Sequence, residues 1–210
     1  MADLYLASRS PRRRDLLKQI GVRFEPLLIR LAHARDVDVD ELQHEGEPAE
    51  RYVERIAHEK AEHGLQVLAL RTMLPKPVLA ADTVVILEGE VLGKPADKAQ
   101  AAQFLRRLSG RTHEVRTAVA LGLAGSAGFG GGSRVLRAVS ISTVTFRALE
   151  DSEIERYIAT GDPFDKAGGY GIQSLAAVFV ERIEGSYSGV MGLPLFETAQ
   201  LLKQAGLPVV

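Results

Sequence analysis

The chain is predicted to fold as an α/β domain with a mixed β-sheet flanked by helices. Three observations predict this. Apolar β-branched runs interleave with helical patterns along all 210 residues. Gly and Pro punctuate the joins between them. One run, residues 77–87, is apolar enough to be a strand buried on both faces, yet carries Asp82 in its middle.

The elements follow in order. Residues 3–7 read as a short strand, followed by a polar turn and a helix over 11–20 closed by Gly21. Residues 22–31 suggest a second strand, and an acidic segment follows from Asp36 to Glu47. Pro48 opens a helix to about His63, with Val53, Ile56, Ala57 and Lys60 on one stripe. After the Asp82 strand and a turn at 88–90 comes a helix over 97–108, ended by Ser109 and Gly110. Residues 112–122 and 135–147 read as paired strands, joined through a glycine-rich stretch (124–133) expected to be a flexible loop. That stretch lacks the lysine of a P-loop and does not lead from a strand into a helix. A helix over 151–160, a strand over 176–183 and a helix from Pro194 to about Gln204 complete the chain.

Composition narrows the function. With 46% hydrophobic and 25% charged residues, the chain is ordinary for a soluble globular protein. A formal net charge of -1 argues against a nucleic-acid coat protein, so no stable nucleic-acid partner is expected. The absence of cysteine excludes disulfides, thiolate metal sites and cysteine nucleophiles. No run approaches a membrane span, and the expected location is the cytoplasm.

Several residues stand out chemically. A carboxylate within the 77–87 run is costly unless a cation or several donors meet it. The turn after that strand could return Lys94 to the same strand end as Asp82; a structural Asp–Lys pair and a phosphate-and-metal site are both open readings. Ser10 suits an N-cap and Pro11 the first helical position, and Arg12, Arg13 and Arg14 crowd the positive end of that helix. Such a turn asks for an anion, although a solvated basic face would look alike in sequence. The acids at 36–41 offer oxygen ligands suited to Mg²⁺ or Mn²⁺, or are simply solvated. Lys60 either snorkels to water or reaches a phosphate. The glycine-dense segment 162–173 brings backbone close to a neighbour or ligand, and its Gln173 carries an amide able to read a base edge.

Seven short motifs in order resemble the Maf family of nucleotide pyrophosphatases nearly end to end. They are Ala7-Ser8-Arg9-Ser10-Pro11-Arg12-Arg13, Asp38-Val39-Asp40-Glu41, Glu59-Lys60-Ala61, Ala81-Asp82-Thr83-Val84-Val85, Gly93-Lys94-Pro95, the run from Asp165 to Gln173, and Gly185-Ser186-Tyr187 with Gly192-Leu193-Pro194. The resemblance implies a two-lobed single domain over 1–210 with a cleft, Maf/ITPase-like in fold. It implies metal-dependent hydrolysis of a nucleoside triphosphate to the monophosphate and pyrophosphate, and suggests a homodimer. The catalytic acid falls on Asp82 and the metal ligands on Asp82 and Glu41, with Asp40 taking that place if the acidic motif slides in register. The divalent cation would be Mg²⁺ or Mn²⁺. Phosphate-binding groups fall on Arg12, Arg13, Lys60 and Lys94, with Ser8 nearby. Thr83, Arg12 and Gln173 look like the branch acting on dTTP and UTP; the branch acting on 7-methyl-GTP typically has glutamine at the position of Thr83. A pool-cleaning role, a link to division arrest and an action on modified pyrimidine nucleotides fit the same chemistry. The competing reading is a non-catalytic regulatory protein that binds nucleotide or nucleic acid in division control.

Overall fold

The computed structural model describes residues 3–29, 42–125, 128–207 and 209, with backbone alone for 128–131. The acidic segment 36–40 and Glu41 lie outside the described residues. The predicted α/β class holds: seven strands form one mixed sheet in the order β2-β1-β3-β5-β6-β7, with β4 paired to β3. These are β1 (Leu4–Leu6), β2 (Phe24–Pro26), β3 (Val78–Leu87), β4 (Glu90–Leu92), β5 (Thr112–Gly125), β6 (Gly128–Phe146) and β7 (Val180–Glu184). The helices are α1 (Pro11–Gln19), α2 (Ala49–Leu70), α3 (Lys98–Leu108), α4 (Asp151–Ala159), α5 (Tyr187–Met191) and α6 (Leu195–Gln204).

The chain divides into two compact units. The first comprises residues 1–82, 118–139 and 192–210, and the second 83–117 and 140–191. In the first, Leu4, Leu6, Leu17, Val53, Ile56 and Leu79 are fully or almost fully buried. In the second, Leu92, Leu105, Leu108, Phe146, Ile154 and Phe179 belong to one apolar core. Burial of such side chains, at roughly 1.5–3 kcal/mol each, is the main force holding each unit together.

Four elements differ from the sequence reading. α2 continues past His63 to Leu70, because Gly64 is a packing residue and not a terminator. A Cβ on Gly64 would lie 2.6 Å from Val78 Cγ1, so only glycine lets the helix approach β3 this closely. The second strand shrinks to Phe24–Pro26 at the sheet edge, where Pro26 fits because the bond to β1 comes from the next residue, Leu27 N–H to the Leu6 carbonyl at 2.9 Å. The glycine-rich stretch is largely strand, with β5 reaching Gly125 and β6 starting at Gly128. Residues 176–179, expected to begin the last strand, belong instead to a 3₁₀ turn over Leu175–Phe179. Ala176 and Phe179 are both buried, and a three-residue spacing puts both on one side of such a turn, leaving the strand to begin at Val180.

Candidate active site

In the first unit, the sheet itself aligns the arginine turn with the acid. β1 runs parallel to β3, with Leu6 opposite Leu79, and the Ala7 N–H donates to the Leu79 carbonyl at 2.8 Å. The chain leaving β1 into Ser8 therefore emerges at the same strand ends toward which β3 carries Asp82. The carboxyl ends of parallel strands are where open α/β sheets bind ligands.

Ser10 caps α1 as expected, its hydroxyl accepting from the Arg13 N–H at 3.5 Å, with Pro11 at the first helical position. Ser8 Oγ accepts from the Ser10 N–H and from Arg13 Nη1, each at 3.2 Å. Arg13 Nε donates to the Gly192 carbonyl at 2.7 Å. That ties the guanidinium to the Gly-Leu-Pro segment ahead of α6 and fixes its direction. No acidic residue occupies the first turn of α1, so the helix start keeps its positive character.

Asp82 meets its cation in Lys60 from α2. Lys60 Nζ lies 2.8 Å from Asp82 Oδ1, and the two side chains are 15% and 17% exposed. The close seating of α2 makes this reach available. A Cβ on Gly122 would come within 3.1 Å of the Ala61 carbonyl, one residue from Lys60. Lys60 thus does not snorkel. Among the described residues no three His, Asp or Glu side chains converge as a metal-ligand cluster. The carboxylate of Asp82 is nonetheless a hard oxygen donor of the kind that Mg²⁺ or Mn²⁺ selects.

In the second unit, two motifs distant in sequence pack together. The Gly168 N–H donates to the Gly93 carbonyl at 3.0 Å, and Pro95 lies against Gly169. The exposed Lys94 is therefore anchored on both sides by the glycine segment that also carries Gln173. Gly168 has φ +67°, and a Cβ there would sit 2.9 Å from Val85 Cγ2. Left-handed backbone and a packed neighbour both require glycine. Gly168→Ala is expected to cost about 3 kcal/mol and to lower Tm by roughly 6–10 °C. A melting curve within 2 °C of wild type would contradict that.

A polar network that the sequence reading did not find holds the same segment. Asp162 Oδ2 accepts from Tyr157 Oη at 2.7 Å and from Ser174 Oγ at 2.6 Å. Lys166 Nζ donates to the Asp162 carbonyl and to the Asp162 and Asp165 carboxylates. Burial pushes the Asp162 carboxyl up, but the hydrogen bonds from Ser174, Tyr157 and Lys166 outweigh it and hold the carboxyl below its usual range. Gln173 is next to Ser174, and its Oε1 is buried without a hydrogen-bond partner. Thr83 Oγ1 lies 2.9 Å from Thr117 Oγ1. The signal for Thr117 was a lone hydroxyl in the apolar alternation 115–121, and its partner could not be read from spacing.

The chain is similar to several known proteins. The model for "Maf-like protein" matches residues 3–205. A dTTP/UTP pyrophosphatase of Aromatoleum aromaticum is 57% identical over 209 residues, covering 99% of this chain and 98% of that protein. The dTTP/UTP pyrophosphatase of Nitrosomonas europaea is 52% identical, covering 98% and 96%. That of Dechloromonas aromatica is 49% identical, covering 97% of each. The solved Staphylococcus aureus Ham1 protein is similar at a TM-score of 0.39 and 18% identity, over 68% of this chain and 71% of that one. With a family model spanning almost the whole length and relatives at half identity or more aligned end to end, the chain belongs to the Maf family.

Proposed function

We infer that this chain hydrolyses dTTP and UTP to the monophosphate and pyrophosphate, an activity that cleans the nucleotide pool. The observation that carries the chemistry is the Asp82–Lys60 pair at 2.8 Å, on a strand whose parallel neighbour leads into the arginine turn. An acid poised against a cation, with a helix start that calls for an anion, suits a polyphosphate. Relatives named for dTTP and UTP at 49–57% identity support the substrate.

The roles follow from charge and hydrogen-bonding capacity. Asp82 orients a water and takes its proton for in-line attack at the α-phosphorus. Arg12, Arg13, Lys60 and Lys94 stabilise the charge that gathers on the leaving pyrophosphate, and Ser8 holds Arg13 in place. Asp82 and Glu41 would hold a divalent Mg²⁺ or Mn²⁺, which when bound supplies Lewis-acid polarisation of phosphate oxygens. Lys60 now occupies one carboxylate oxygen of Asp82, and a phosphate would draw that ammonium away. Thr83 and Gln173 contact the base; the unpartnered buried Oε1 of Gln173 fits an atom waiting for a donor. No described helix is long and apolar enough to cross a membrane.

The test incubates purified protein with Mg²⁺ and each common nucleoside triphosphate and follows pyrophosphate release. Preferential turnover of dTTP and UTP is expected. Gln173→Ala should reduce that preference by about tenfold. Turnover confined to other nucleotides would discard the roles of Thr83 and Gln173 while keeping the chemistry. No turnover at all would revive the non-catalytic binding reading.

A further inference from the structure

A carboxamide can face a base in two ways, and that fixes what Gln173 needs from its surroundings. Uracil and thymine present an acceptor, O4, beside a donor, N3–H. Cytosine presents the reverse, an amino donor beside an acceptor nitrogen. An amide pairs with either pattern by turning over about its last bond. It tells the two apart only when it is held one way, so the turn that carries Gln173 has to be stiff.

That turn hangs from Asp162. Ser174 Oγ reaches the Asp162 carboxylate at 2.6 Å and the Gly171 carbonyl at 2.8 Å, so its single proton bridges the two. The Ser174 N–H closes the turn on the same carbonyl at 3.1 Å. Tyr157, from α4, donates its hydroxyl to the Asp162 oxygen that Ser174 also uses. Lys166 Nζ stands 2.6 Å from the Asp162 carbonyl, 3.0 Å from Asp162 Oδ1 and 2.6 Å from Asp165 Oδ1, an acceptor for each of its three protons. Lys166 is buried with every donor used, so its charge serves the turn and not a phosphate. Its stem supports the turn directly, since a Cβ on Gly171 would lie 2.6 Å from Lys166 Cε. Bonds to charged groups are about twice as strong as neutral ones, which makes Asp162 the firmest point of the segment.

We propose that Asp162 is a positioning residue: through Ser174 it fixes the 171–174 turn so that the Gln173 amide meets the base in one orientation, and thereby selects uracil and thymine over cytosine. The proposal rests on the reading that Gln173 contacts the base. Asp162 does this without touching the nucleotide, because its two carboxylate oxygens are occupied by Lys166, Tyr157 and Ser174. Loss of the Ser174 link slackens the turn, and Gln173 gains the freedom to turn over for cytosine.

The experiment compares kcat/KM for UTP and CTP in wild type, Ser174→Ala, Ser174→Thr, Asp162→Ala, Gln173→Ala and the Ser174→Ala/Gln173→Ala double variant. Loss of folded protein scales both rates equally and cancels in their ratio, so the ratio reports orientation and not stability. Ser174→Ala and Asp162→Ala should each lower the UTP:CTP ratio about fivefold, and Ser174→Thr, which keeps the hydroxyl, should restore it. In the Gln173→Ala background, Ser174→Ala should change the ratio no further. Should Asp162→Ala fail to fold, Ser174→Ala decides alone, since it removes a single hydroxyl. An unchanged ratio in Ser174→Ala, beside a changed one in Gln173→Ala, overturns the positioning role but keeps the base contact. An unchanged ratio in Gln173→Ala removes the base contact and the positioning role with it. A drop in Ser174→Ala that persists in the Gln173→Ala background overturns the proposal too, because the hydroxyl then acts by a route other than Gln173. Equal turnover of the two nucleotides by wild type would leave no selection to explain and overturn it at once.

Discussion

Asp82→Asn is expected to lower kcat for pyrophosphate release from dTTP by about 10³-fold or more, while leaving the fold in place. The amide keeps the shape and can still accept from Lys60, whose ammonium lies 2.8 Å from Oδ1, so the α2–β3 contact survives. What disappears is the negative charge and the capacity to take a proton, and general-base loss is worth about 10²–10⁴-fold before any effect on cation binding. On the proposed role of Asp82 as a ligand for a divalent cation, losing that anionic ligand adds to it. Steady-state turnover with saturating Mg²⁺, beside a thermal melt, separates chemistry from folding. Near-normal turnover in a folded variant would remove Asp82 from the reaction; a melt lowered by more than a few degrees would make the Lys60 pair structural first.

The second large effect is acid sensitivity at His113. The ring is 3% exposed, its Nε2 lies 2.7 Å from Tyr170 Oη, and it packs at near right angles to the Phe146 and Tyr170 rings. Its Nδ1 is buried without a partner, so an imidazolium there would lack an acceptor. Burial pushes the His113 pKa down from 6.5 to about 4. Between those values the unfolded chain binds the proton and the folded one does not, so this contribution to stability is full above about pH 6.5 and falls as pH drops toward 4. At about 1.4 kcal/mol per pH unit the loss reaches about 3 kcal/mol. Glu47 and Glu153, held down to about 2 chiefly by hydrogen bonds from Arg55 and Arg147, lose their stabilising effect below the ordinary carboxylate range, as pH falls toward 2. Urea unfolding of wild type and His113→Gln from pH 7 to 4.5 isolates the histidine. Wild type should weaken through that window and the variant should be flatter; equal slopes would refute the assignment.

Much of the architecture was legible in the chain itself. Periodicity and punctuation are local properties, and they located the helix starts at Pro11 and Asp97, the Asp82 strand and the α3 helix within a residue or two. The same locality misled at the end of α2, expected near His63, because Gly64 is the point at which the helix touches β3 and the helix runs on to Leu70. It misled again over 176–179, where the strand pattern gave way to a turn.

For the site, residue types and order alone singled out Asp82, the arginine turn, Lys60, Lys94 and Gln173, because an acid in an apolar run and cations at a helix start are conspicuous without coordinates. Partnership was different. That Asp82 pairs with Lys60, 22 residues earlier, depends on how deeply a helix seats on a sheet. That the Thr117 hydroxyl donates to the Gly189 carbonyl joins residues 72 apart in the chain. The sequence determined which side chains were worth their cost; the tertiary structure decided which proton and which charge each one faces, since hydrogen bonds and ion pairs act over a few ångströms of space that chain spacing does not encode.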